Sequence, residues 1–137
     1  RMLIDKGADV NFRTSRTWTS IFEKDKKVIM IDREWTPLLE AIDEDEMDIA
    51  QLLIQKGADV NDGTRREITN IKEKSTEIQT NWTPLMEAVE EENLEMAQLL
   101  IRMGAKANAV TKEGLSVLDV AKGTENEELI QFISSKL

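Results

Sequence analysis

The chain has 137 residues, 33% of them charged, with 27 acidic and 18 basic side chains for a net charge of −9, and it contains no histidine and no cysteine. Without cysteine there is no disulfide framework, thiolate zinc site or cysteine nucleophile, and without histidine the commonest proton shuttle is missing. The acidic balance argues against binding a nucleic-acid backbone, and no apolar run approaches the ~20 residues of a membrane span.

In chain order, Arg1 to Gly7 aligns with Gln51 to Gly57. Residues 1–11 therefore read as the end of a truncated repeat, and the chain as a fragment of a longer array. Residues 12–34 form a long connector. In it Thr17-Trp18-Thr19-Ser20-Ile21-Phe22-Glu23 and Val28-Ile29-Met30-Ile31-Asp32-Arg33-Glu34 flank the charged turn Lys24-Asp25-Lys26-Lys27. Aromatic and β-branched residues on both sides of such a turn predict a β-hairpin.

Residues 35–61 begin with Trp35-Thr36-Pro37-Leu38-Leu39-Glu40-Ala41-Ile42, where Thr36 suits the N-cap and Pro37 the first turn of a short helix. The acidic run Asp43-Glu44-Asp45-Glu46 breaks the apolar pattern. It resumes with helical spacing at Met47, Ile49, Ala50, Leu52, Leu53 and Ile54, and ends at Lys56-Gly57 with a basic last turn and a left-handed cap. A calcium loop is not expected in that run, because Met47 replaces a ligand and no glycine permits the sharp turn.

Residues 62–81 are a more polar connector, read as a second hairpin whose tip is either ordered or unstructured. Residues 82–108 repeat the helix pair from Trp82-Thr83-Pro84-Leu85-Met86-Glu87-Ala88-Val89. Residues 109–137 hold a degenerate pair, Ser116 to Ala121 and Leu129 to Ile133, whose polar end reads as a C-terminal cap.

Gly-Ala-Asp-Val-Asn stands at Gly7 to Asn11 and at Gly57 to Asn61, with a worn copy at Gly104 to Asn108, and each Trp-Thr-Pro-Leu lies 22 residues before its glycine. From the glycines to Trp35, Trp82 and Leu115 the spacing is 28, 25 and 11 residues, so the last unit closes at 33. A 33-residue unit with these motifs resembles the ankyrin repeat.

The resemblance implies a mainly α fold, a solenoid of stacked helix pairs with the two expanded connectors as extended β-hairpin fingers that could pair edge to edge. It also marks departures. Where the family usually has histidine after Thr-Pro-Leu, this chain has Leu39, Met86 and Asp119. Where Gly-His usually separates the helices, it has Asp45-Glu46, Glu92-Asn93 and Glu125-Asn126, so acidic and amide side chains must build that turn.

By position, the family's concave groove falls here on Trp35, Asp43 and Glu44, on Trp82, Glu90 and Glu91, and on Leu115, with Trp18 and Phe22 on the first finger. Two Trp one repeat apart among carboxylates suit an anchor for a partner; alternatively, they pack beneath the fingers and brace them. The resemblance implies a non-catalytic protein-binding module, without cofactor or metal, for a partner with basic and apolar surface. An inhibitory or immunity-type subunit and a structural or self-associating spacer are the alternatives. A cytoplasmic location is the simplest expectation for a chain without cysteine or an apolar span.

Overall fold

In a computed structural model the described residues are 11, 13–22 and 26–137. The rest of residues 1–12, where the end of a repeat was expected, the turn residues Glu23 to Asp25, and the side chains of Trp18 and Phe22 lie outside them.

Two hairpins form. In the first, β1 (Thr14–Phe22) pairs with β2 (Lys26–Trp35), and in the second, β3 (Thr64–Asn70) pairs with β4 (Ser75–Trp82). The second has an ordered turn, in which Asn70 Oδ1 accepts the Glu73 N–H at 3.1 Å and Lys74 takes a positive φ of 53°. The fingers also pair with each other, Met30 opposite Ile68 and Asp32 opposite Arg66, giving one antiparallel sheet in the order β1-β2-β3-β4. Pairing satisfies the inner edges that isolated hairpins would leave open.

Both hairpins reach further toward the helices than the sequence pattern predicts, because an irregularity carries each strand on to its Trp. Glu34 and Asn81, with φ of 61° and 71°, precede Trp35 and Trp82, and the register shifts so that Trp35 faces Thr14 and Trp82 faces Thr64. Glycine is required beside the second shift. A Cβ on Gly63 would lie 2.5 Å from Asn81 Oδ1 and 2.7 Å from its carbonyl carbon.

Among the described residues six helices make three pairs: α1 (Pro37–Asp43) with α2 (Met47–Gln55), α3 (Pro84–Glu90) with α4 (Leu94–Arg102), and α5 (Val117–Thr124) with α6 (Glu127–Ser135). Thr36 and Thr83 cap their helices by accepting the N–H of Leu39 and Met86, and proline occupies each first turn. The third pair is longer than the sequence predicts. Ser116 and Asp119 form a reciprocal capping box, and α5 continues past Ala121 to Thr124.

The first helices pack side by side, α1 on α3 and α3 on α5, and one apolar cluster runs through all three pairs. Leu39 and Met86, at the positions expected to lack a histidine tie, are fully buried in packing instead. Helices this short do not persist alone, so neighbour contacts hold them.

Two sets of side chains stitch one repeat to the next. Asn11 Nδ2 donates to the Gly57 carbonyl at 3.2 Å while its Oδ1 accepts the Asp59 N–H at 3.1 Å; Asn61 does the same with Gly104 at 3.2 Å and Lys106 at 2.9 Å. The helix–helix turns carry the second set. Asp45, Glu92 and Glu125 sit in the left-handed region at φ 56°, 55° and 61°. Asn93 Nδ2 reaches back to Asp45 at 2.6 Å and Asn126 Nδ2 to Glu92 at 3.3 Å. The turns are thus built by acidic and amide side chains, as expected.

Candidate functional site

Alternation along the strands puts Asp32 of β2, Arg66 and Ile68 of β3, and Glu77 and Gln79 of β4 on one sheet face, toward the helices. Arg66 is the hub. Only 1% exposed, it donates Nε to Asp32 at 2.8 Å, Nη2 to Glu87 at 2.8 Å and Nη1 to Glu90 at 2.5 Å, and its guanidinium lies 4.5 Å above the centre of the Trp82 ring. One cation so ties both fingers to α3.

Burial alone would lower the Arg66 pKa, but Glu90, Glu87 and Asp32 outweigh it and hold the side chain charged. Burial pushes the Glu87 carboxyl up to about 7, against the opposing pull of Arg66 and the Trp82 N–H. Glu91 is raised too, first by partial burial and then by Asp43 beside it.

A groove of about 470 Å³ opens between this sheet face and the helices of the second and third repeats. Ile68, Leu115 and Val120 supply its apolar wall, and Glu77, Glu90 and Glu92 supply carboxylates, with Arg66 the one cation in the lining among the described residues. Glu90 is already paired with Arg66, whose charge Asp32 and Glu87 share, so Glu77 and Glu92 leave the groove acidic.

Of the residues picked from sequence, Trp82, Glu90 and Leu115 come together in this groove. Trp35 and Glu44 border a different hollow of about 480 Å³ along α1 and α2. Asp43 and Glu91 line a third, of about 530 Å³, at the turns between helices. Trp18 and Phe22 belong to the backbone of β1, opposite Met30 and Lys26.

Of the two readings of Trp35 and Trp82, their burial and bonding suit the brace beneath the fingers. Trp35 and Trp82 are 3% and 4% exposed, because each is drawn under its finger by an indole N–H bond to a carboxylate five residues on: Trp35 to Glu40 at 2.8 Å, Trp82 to Glu87 at 3.0 Å. They brace the fingers.

Sequence reasoning passed over Asp32, Arg66, Glu87 and Glu92. A signal for Glu87 was present, since Trp-x₄-Glu recurs at Trp35/Glu40 and Trp82/Glu87 and both members become apolar together at Leu115/Val120. Among the described residues one carboxylate trio, Asp43, Glu87 and Glu91, brings oxygens within 4.8 Å of one another. Glu87 is committed there to Arg66 and Trp82. No described helix is long and apolar enough to cross a membrane.

Comparison with protein families returns one match. The ankyrin repeat model fits residues 33–65 and 80–112, each segment starting two residues before its Trp. Arg66 is the first residue beyond the earlier segment, at the start of the stretch that separates the two. No curated protein matches the chain.

Proposed function

We propose that this chain, two segments of which match the ankyrin repeat, a generally non-catalytic protein-interaction module, binds a partner protein through the acidic groove between its finger sheet and its helices. The observation that carries this reading is the lining of that groove. Glu77, Glu90 and Glu92 stand beside Ile68, Leu115 and Val120, a combination that suits a partner with cationic heads on apolar stems.

The fingers do more than widen the surface. Paired into one sheet and fixed to α3 through Arg66, they present a preformed wall, so binding does not have to order two loops. Exposed carboxylates such as Glu92 act mainly by steering an oppositely charged partner, so association should slow as salt rises.

The test substitutes exposed groove residues rather than the buried Trp, whose loss would damage the fold. Cross-linking in native extract should trap a partner on the groove in the parent chain and not in the Glu77→Lys/Glu92→Lys variant, with both giving the same circular dichroism spectrum. Equal capture by both would place the interaction elsewhere and overturn the reading.

A further inference from the structure

We infer that the outer edge of β4 accepts an extended, lysine- or arginine-bearing segment of a partner protein as a fifth strand, with its cationic side chains laid into the groove. This deepens the reading above and rests on it.

β4 is an edge strand. At its base the edge is already in use: the Thr80 carbonyl accepts the Lys112 N–H at 2.9 Å, and the Thr80 N–H donates to Glu113 Oε2 at 2.6 Å. In an antiparallel ladder both backbone groups of a residue point to the same side, and the direction repeats every second residue. The register from Thr80 to Ser75 is continuous against Arg65 to Asn70, so Ile78 and Thr76 turn their N–H and C=O to that same outer side. Among the described residues none of these four groups has a partner.

The turn at Lys112 and Glu113 engages this edge at Thr80 with one backbone N–H and one carboxylate, and goes no further along it. From Ser75 to Gln79 the edge stays open over roughly 17 Å at the usual rise of a strand. Between Ser75 and Thr80 the edge carries no proline, no bulge and no lysine, and its one charge, Glu77, discriminates against an acidic strand while leaving a cationic one free to pair.

Side-chain alternation then chooses the occupant. Glu77 and Gln79 of β4 line the groove, so alternate residues of a strand added beside them would fall on the same face, next to Glu77 and toward Glu90 and Glu92. An acidic segment would be repelled, and a wholly apolar one would strip water from carboxylates without pairing them. Lysine or arginine satisfies both parts, with the stem on Ile68 and Leu115 and the charge among the acids. A second copy of this chain fits less well, since its own β4 would bring another Glu77 to the same acidic wall.

The probe is a labelled heptapeptide alternating lysine with threonine or valine, titrated against the full chain at low salt by fluorescence anisotropy. Saturable binding is expected, with the Thr76 and Ile78 amides becoming protected from hydrogen exchange. Methylating the peptide's backbone nitrogens at alternate positions should weaken binding about tenfold or more, and Ile78→Pro should do the same. The methylated peptide makes the test independent of how well that variant folds.

Undiminished binding of both N-methyl registers would overturn strand addition. If Glu77→Gln/Glu92→Gln still lost affinity, the groove reading would survive that failure. A dimer of the parent chain that Ile78→Pro dissolves, with no peptide binding, would instead assign the edge to a second copy.

Discussion

The indole N–H of Trp82 donates to Glu87 Oε1 at 3.0 Å while the Arg66 guanidinium covers the same ring, so one Trp side chain holds a carboxylate at its edge and a cation on its face. Arg66 and Glu87 also bind each other at 2.8 Å. Three side chains from β3, β4 and α3 thus close a triangle that fixes where the finger meets the stack. Replacing Trp82 with Phe keeps a ring and removes the N–H, which should cost about 1–2 kcal/mol, whereas Trp82→Ala also opens a cavity and should cost about 3–5 kcal/mol. Trp35→Phe should cost less, because its acceptor Glu40 is exposed to water. Urea midpoints at constant slope measure all three.

Arg66 carries a larger stake. Its removal leaves Asp32 and Glu87 buried without their cation, so Arg66→Met alone should destabilise by about 3–5 kcal/mol. Arg66→Met combined with Asp32→Leu and Glu87→Leu removes the charges together and should recover most of that loss. A single Arg66→Met variant as stable as the parent would mean that the network does not hold the fingers.

The helix pairs were legible because their signals are local: Thr36-Pro37 and Thr83-Pro84 mark starts, Gly57 and Gly104 mark stops, and apolar spacing fills the interval. The strands were legible from the β-branched runs around Val28 to Ile31. The groove was not, because it depends on which strands neighbour each other. Asp32 and Arg66 lie 34 residues apart and meet only once the two fingers pair, and Glu87 joins them only when the sheet folds against α3. Trp82 borders the groove and Trp35 does not, and both are held under the sheet by indole bonds, to Glu87 and Glu40, that no local pattern announces.

The repeated asparagines separate a positional role from a compositional one. Asn61 bonds the Gly104 carbonyl and the Lys106 N–H of the next repeat, while Asn108 ends the last marker and makes no such pair among the described residues. Asn61→Ala should therefore cost about 1–2 kcal/mol and Asn108→Ala almost nothing, although the two residues occupy the same place in the motif. Equal effects in thermal or urea unfolding would mean that the asparagine serves its own turn rather than the joint between repeats.

Glu87 also gives stability a direction with pH. Its carboxyl titrates near 7 when folded, chiefly because burial disfavours the charge, against an ordinary value of 4.5 in the open chain. Between those values the folded state binds more protons than the unfolded one, so stability falls as pH rises through the interval and the loss is complete above it. The shift corresponds to roughly 3 kcal/mol for this one group. Glu91, raised in the same sense, adds to the slope. Glu113 and Asp119 act oppositely: hydrogen bonds from Thr80 and from Ser116 hold them below the ordinary range, so their contribution is present above it and is lost on acidification. Urea midpoints should peak at around pH 5 and decline toward about pH 8. Glu87→Gln should flatten most of the decline while leaving the acid limb in place, and a decline as steep as the parent's in that variant would show that another group carries it.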